Sequence, residues 1–377
     1  MSQADLGELK FRDPAQATQL TQRLHEVVEQ IGRAPVTVMH VCGTHEQAIA
    51  RYGLRSVLPK ALRLIMGPGC PVCVTDMTEV DEAVALAMAG IEVATYGDML
   101  KLPGHSLSLA DAKAKGAKVH VVYSPMQAVD LARNTTNQVV FFASGFETTA
   151  VTTAAILRST PPANFSVLSS HKYVPLAMEV VARLPDSKVE GFLAAGHAAT
   201  ITGSAIFEPF AKEHRTPVVV AGFEPLDILA ALVALVAMIR DGRNGVENAY
   251  PRCVGKQGNL PALASLWEVF QVVDGPWRGI GTIPGGSLEL KDTYAGYNAR
   301  KRFSIDTASL VGANPSQKSK ACVCGKIMVG LAMPRECPLF GKACLPETPL
   351  GACMVSTEGM CRIWHQYGEQ PDLGTNR

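Results

Sequence analysis

The chain has 377 residues, 47% of them apolar and 18% charged, with a formal charge of +1. That length suffices for two or three domains with buried cores, and the near cancellation of 35 basic by 34 acidic residues argues against a broad nucleic-acid-binding face. Met1–Lys10 carries acids and no apolar run, so no secretory signal is expected, and the most apolar stretch, Leu226–Ile239, is too short to span a membrane.

In chain order, Asp13-Pro14 opens a predicted helix reaching about Ile31, with Asp13 as N-cap and proline at the first helical position. Eight apolar strand candidates follow: Val36–Val41, Leu62–Met66, Ile91–Thr95, Lys118–Tyr123, Gln138–Phe142, Phe165–Ser169, Val189–Ala194 and Pro217–Ala221. Between them lie predicted helices at Met77–Ala89, Pro125–Arg133, Thr148–Arg158, Val174–Leu184 and Gly203–His214, and Leu226–Ile239 reads as a buried helix. Alternation of continuously apolar strands with helices marks parallel sheets covered on both faces. The expected fold is therefore α/β, with two doubly wound parallel-sheet domains, 14–122 and 123–241, and an irregular C-terminal domain, 242–377. Turn signals such as Asp274-Gly275-Pro276 and Pro284-Gly285-Gly286 mark that last segment, whose thin core calls for cross-linking by metal.

The chemistry-bearing residues fall where strands end, the position of the ligand crevice in parallel sheets. Cys42-Gly-Thr-His-Glu46 follows the first strand, Gly67-Pro-Gly-Cys-Pro-Val-Cys73 the second and Gly97-Asp98 the third. Gly145-Phe-Glu-Thr-Thr149, His171, Gly196-His197 and Gly222-Phe-Glu224 follow later ones. Glycine after a strand is often only a turn, and His171 and His197 also suit half-buried structural positions. Cys42, His45 and Glu46 within one helical turn offer a thiolate, an imidazole and a carboxylate, a set suited to iron(II). Cys70 and Cys73 form a C-x-x-C entering a helix, where the dipole favours thiolate. The pair suits dithiol–disulfide cycling, or else half of a zinc site.

Of the ten cysteines, six lie between Cys322 and Cys361. Without an export signal, such clustering points to a reducing, cytoplasmic setting and to metal or redox chemistry rather than a disulfide scaffold. Cys324, Cys337, Cys344 and Cys361 read C-x12-C-x6-C-x16-C, leaving Cys322 and Cys353 spare and Cys322 an alternative to Cys324 as first ligand. Four thiolates suit structural zinc or a 4Fe–4S cluster. The absence of short C-x2-C pairs and the prolines between ligands (Pro338, Pro346 and Pro349) favour the cluster.

These motifs resemble the HypD family of nickel–iron hydrogenase maturation factors. The matching stretches are Cys42–Glu46, Gly67–Cys73, Gly145–Thr149, Gly196-His197, Val219–Asp227, Cys337–Gly341 and Met354–Gly359, and they run through nearly the whole chain. Ala198-Ala199 stands where the family usually has Val-Ser, so a hydroxyl beside His197 is lost. The resemblance implies a scaffold and redox partner for assembling an Fe(CN)2CO group, with a small HypC-type chaperone, a HypE-type cyanide donor and, indirectly, the hydrogenase large subunit. It implies no nucleic-acid or membrane partner. Cys42 with His45 would hold the iron. Cys70 and Cys73 would exchange electrons with the 4Fe–4S cluster on Cys324, Cys337, Cys344 and Cys361, and Glu46, Glu147 and His197 would complete the site. The alternative is a cluster-dependent thiol–disulfide oxidoreductase, which needs Cys70 and Cys73 but has no use for Cys42–Glu46.

Overall fold

A computed structural model describes residues 11–311 and 321–368; Met1–Lys10, where the absence of a secretory signal was read, lies outside them. Chain contacts divide the molecule into two compact units. The first contains the described residues up to Gly69, Ala182–Gly258 and those from Ile363; the second contains Cys70–Val181 and Asn259–Arg362.

The first unit is built on a parallel sheet in the order β2-β1-β7-β8-β9, from Leu62–Met66, Val36–His40, Gly191–Ala195, Val218–Ala221 and Val246–Asn248. Its central strands β1, β7 and β8 are buried along their whole length, because helices cover the sheet. Leu24, Val27 and Val28 of the Pro14–Ile31 helix pack with Ile228, Leu232 and Leu235 of the Pro225–Arg240 helix in one core, together with Val38, Leu193 and Val219 of the sheet. The first helix starts as its sequence dictates: the Asp13 carboxylate accepts the N–H groups of Ala15 and Gln16, and Pro14 follows.

The second unit carries a six-stranded sheet in the order β10-β11-β6-β5-β3-β4. Strands β3 (Glu92–Thr95), β4 (Val119–Val121), β5 (Val139–Gly145) and β6 (Phe165–Lys172) are parallel. The antiparallel hairpin β10 (Phe270–Trp277) and β11 (Gly281–Leu290) adds to the free edge of β6, pairing Ser287 with Lys172 and Leu288 with His171. All eight expected strands form, and the class is α/β with two mostly parallel sheets. Their grouping does not follow consecutive segments of chain, since the first sheet takes β1 and β2 from 14–122 and β7 and β8 from 123–241.

The hairpin is a correction to the turn signals read near residues 274–286. Both lie inside strands, with a register shift between Val273 and Gly275. The glycine is needed there for space: a Cβ on Gly275 would stand 1.9 Å from Ser287 Oγ. From Cys322 onward the second unit is irregular as expected, with helices of only four or five residues at Cys324–Met328 and Ala352–Val355. Among the described residues, no helix is long and apolar enough to cross a membrane.

Candidate functional site

In the first unit the reactive side chains hang from the carboxyl ends of β1, β7 and β8. Cys42 is the N-cap residue of the Gly43–Arg51 helix, in extended conformation and buried. The turn is held from below by Gly69, whose carbonyl accepts the Gly43 N–H at 3.2 Å. A Cβ on Gly69 would stand 2.1 Å from the Val41 carbonyl carbon, so only glycine permits this approach. His197, at the start of the Gly196–Thr202 helix, brings Nδ1 to 3.8 Å from Cys42 Sγ. Phe223, after β8, stacks on the His197 ring at 5.3 Å and lies 4.8 Å from the His45 ring.

His45 is fully buried, and its Nε2 donates to the Gly222 carbonyl at 2.9 Å. Burial, helped by charge on His40 and His197 and opposed by the Gly222 carbonyl, holds its pKa down to about 3. The ring is therefore neutral, with its proton fixed on Nε2 by the backbone. Nδ1 keeps its lone pair, and among the described residues no hydrogen-bond donor reaches it. A neutral imidazole oriented through its other nitrogen is the form that binds metal ions.

Glu46 is placed differently from a ligand. Its buried carboxylate accepts from Arg55 through both guanidinium nitrogens at 2.7 Å, from His40 Nε2 at 2.8 Å and from Trp364 Nε1 at 2.7 Å. Burial alone would raise its pKa, but Arg55 charge and the bonds from His40 and Arg55 outweigh it and hold the group well below the usual carboxylate range. His40 Nδ1 lies 3.1 Å from the Cys42 carbonyl oxygen. Glu46 thus anchors the turn that carries Cys42. Sequence reading missed His40, Arg55 and Trp364; His40 ends a strand buried along its whole length, and Trp364 joins from 318 residues away.

The second unit gathers sulfur. Cys70 and Cys73 are disulfide-bonded, both buried, at the N-terminus of the Pro71–Val74 helix, and the Cys73 N–H donates to Cys70 Sγ at 3.2 Å. Cys73 Sγ lies 4.0 Å from the Ala352 carbonyl, beside Cys353. Cys322 and Cys324 approach to 3.1 Å, and Cys324 exchanges hydrogen bonds with Cys353 and Cys361. Cys344 receives the Leu350 N–H at 3.3 Å and feels the charges of Cys322 and Cys337. The expected ligands Cys324, Cys337, Cys344 and Cys361 therefore share one neighbourhood with Cys322 and Cys353, which were read as spare.

Contact with Cys322 and Cys353 pushes the Cys324 thiol well above its ordinary pKa, and Cys353 and Cys361 are also raised. Cys322 is lowered to about 6, chiefly by the bond from Cys324. Packed thiols resist losing their protons together, and a metal that replaces those protons removes the conflict. The donor set fits a thiolate-held metal group, although among the described residues no three His, Cys, Asp or Glu side chains stand as a ready-made metal cage. Glu147, also in the second unit, begins the Glu147–Arg158 helix and accepts the Val174 N–H at 3.0 Å. Gly145 before it has φ of +152°, and a Cβ there would collide with Thr149 Oγ1 at 1.5 Å. That collision explains the glycine of the Gly-Phe-Glu-Thr-Thr motif.

A sequence profile described as "HypD: Hydrogenase formation hypA family" matches residues 15–368. The chain belongs to the HypD family. The hydrogenase maturation factor HypD of Azotobacter vinelandii is 41% identical over 373 residues, covering 96% of each chain. The HypD proteins of Rhizobium leguminosarum and Rhodobacter capsulatus are 43% and 39% identical over 343 and 368 residues; the first covers 88% of each chain and the second 95% of this chain and 97% of its own. The HypD match embraces both units, since it takes in Cys42 and His197 of the first and every cysteine of the second.

Proposed function

We propose that the chain acts in hydrogenase maturation as a scaffold and redox partner on which an Fe(CN)2CO group is assembled, with a small HypC-type chaperone and a HypE-type cyanide donor. The observation that carries this reading is the pairing of Cys42 with His197 at 3.8 Å in the same unit as a buried, neutral His45. A thiolate and a neutral imidazole together suit ferrous iron. Iron is the cargo here: Cys42 grips it, His45 offers the Nδ1 lone pair, and His197 accepts or returns the Cys42 proton. Phe223 closes off water beside both rings. Glu46, His40, Arg55 and Trp364 keep the turn from shifting when iron arrives or leaves.

In the second unit, Cys324, Cys337, Cys344 and Cys361 would hold a 4Fe–4S cluster, with Cys322 and Cys353 near enough to substitute. Such a cluster supplies single electrons at low potential. Cys70 and Cys73 store two electrons as a dithiol and release them on closing the disulfide.

The test is anaerobic copurification with a HypC-type partner, followed by iron and sulfide analysis. Iron beyond the cluster's complement is expected, and Cys42→Ala should remove that excess while sparing the sulfide. Retention of the excess iron would refute Cys42 as its holder. Dithiol turnover on generic disulfides that ignores Cys42→Ala would instead favour a thiol–disulfide oxidoreductase.

A further inference from the structure

The loop after β9 delivers an aromatic ring that the function above leaves unused. Asn248 pins that loop: its Oδ1 accepts the Tyr250 N–H at 2.9 Å, and its Nδ2 donates to the Val254 carbonyl at 2.7 Å. The Tyr250 ring is thereby pressed against the glycines that follow β7 and β8. A Cβ on Gly196 would stand 2.8 Å from Tyr250 Cδ1, and a Cβ on Gly222 would stand 2.6 Å from Tyr250 Cδ2. Each glycine directly precedes a ring beside Cys42, Gly196 before His197 and Gly222 before Phe223. Tyr250 also meets Phe223 itself, edge to face, with ring centroids 6.3 Å apart.

The ring is itself held. The Arg252 guanidinium lies 4.4 Å from its centroid and 4.2 Å from that of Phe11, and pairs through both terminal nitrogens with the buried Asp227. Asp227 also accepts the Glu224 N–H at 3.2 Å, so the same carboxylate fixes the start of the Pro225–Arg240 helix. The Tyr250 hydroxyl bonds with the exposed Cys253 thiol, which leaves the carbon ring to meet the two glycines. On those glycines hangs the orientation of His45, whose Nε2 lies 2.9 Å from the Gly222 carbonyl oxygen and 3.3 Å from that of Ala221. If these carbonyls move away, a buried N–H loses its acceptor, and the ring proton is no longer confined to Nε2.

We propose that Tyr250 is a positioning residue of the Cys42 site: its ring, braced by Arg252, sets the chain after β7 and β8 so that the Gly222 carbonyl keeps the His45 proton on Nε2 and leaves Nδ1 open. The use of that lone pair by iron rests on the function proposed above; the tautomer does not, because it is read without added metal.

The full chain, isotope-labelled in its histidine rings and given no added iron, is studied by long-range proton–nitrogen NMR correlation, with His45→Gln identifying the His45 signals. Wild type and Tyr250→Phe, which loses only the bond to Cys253, are expected to show one His45 tautomer, protonated on Nε2. Tyr250→Ala should mix the two tautomers and speed exchange of that N–H with water about tenfold, the loss of roughly one hydrogen bond. Leu24→Ala loosens the core of the same unit through the first helix and serves as control. A tyrosine that merely fills space would disturb His45 no more than Leu24→Ala does at a matched loss of Tm. A fixed Nε2 tautomer in Tyr250→Ala, a disturbance equal to that of the control, or a mixed tautomer in Tyr250→Phe overturns the proposal. If Tyr250→Ala does not fold, Tyr250→Leu, which keeps apolar bulk without a ring, carries the test with the same outcomes. Excess iron held with a HypC-type partner is measured separately: Tyr250→Ala should release it at about tenfold lower chelator, and Tyr250→Phe should keep it. A wild type without excess iron would refute the iron reading and leave the His45 result standing.

Discussion

The imidazole-lined turn of the first unit and the sulfur neighbourhood of the second solve opposite problems. Around Cys42 most polar groups are already paired: Glu46 is saturated by Arg55, His40 and Trp364, and the His45 proton is fixed by Gly222, with the His45 Nδ1 lone pair left open among the described residues. Around Cys324 the thiols crowd one another, and burial and mutual contact keep several of them protonated. The first is a site that folding completes. The second is a site that folding only assembles and that bound metal would complete, as in small metallo-domains where binding energy is folding energy.

The largest effect should come from breaking the pairing in the first site. Glu46→Ala strands a buried guanidinium and two further donors, and should cost roughly 3–5 kcal/mol in urea unfolding. Glu46→Gln keeps some acceptors and should cost less. If the alanine variant unfolds like wild type, the carboxylate does not anchor the turn.

Assembly of a thiolate-held cluster should act through the second site. Anaerobic loading with iron and sulfide at about 100-fold excess over Kd should stabilise the chain by ~2.7 kcal/mol, and chelation should reverse this. Cys353→Ala compared with Cys337→Ala then sharpens the assignment. Loss of the gain only in Cys337→Ala supports the predicted quartet, whereas loss only in Cys353→Ala replaces one ligand.

Acid should touch both units, through His45 in one and His171 in the other, each held down to about 3 mainly by burial. The unfolded imidazole titrates near 6.5. Between about pH 6.5 and 3 the unfolded chain therefore binds a proton that the native chain refuses, and stability falls as pH falls, by about 1.4 kcal/mol per unit for each group at most. Urea midpoints at pH 7, 6 and 5 should show this slope, halved in its histidine part by His45→Gln. An unchanged slope would mean that His45 is not buried neutral. The smallest effect belongs to Asp98, which accepts from the Thr357 N–H at 3.1 Å and its hydroxyl at 3.2 Å in the loop between Cys353 and Cys361. Asp98→Asn should cost about 1 kcal/mol and speed hydrogen exchange at Thr357; unaltered exchange there would show that the loop is held by other contacts.

Much was legible in the residues. Continuous apolar runs located eight of the nine parallel strands among the described residues, because a strand buried on both faces leaves no place for polar alternation, and missed only the three-residue β9 at Val246–Asn248. Asp13-Pro14 announced a helix start, and the strand-end position of Cys42, Cys70 and His197 announced where chemistry would gather. Local rules decide those features, since each depends on a few neighbouring residues. Tertiary structure alone decided which strands share a sheet, that Gly275 and Gly285 lie within a hairpin, and that Glu46 is an anchor fed from Arg55 and Trp364. It also brought Tyr250 from the loop after β9 to the glycines that follow β7 and β8. Those outcomes depend on pairings across hundreds of residues, where a sheet edge, a buried charge or a crowded thiol takes whichever partner the packed chain delivers.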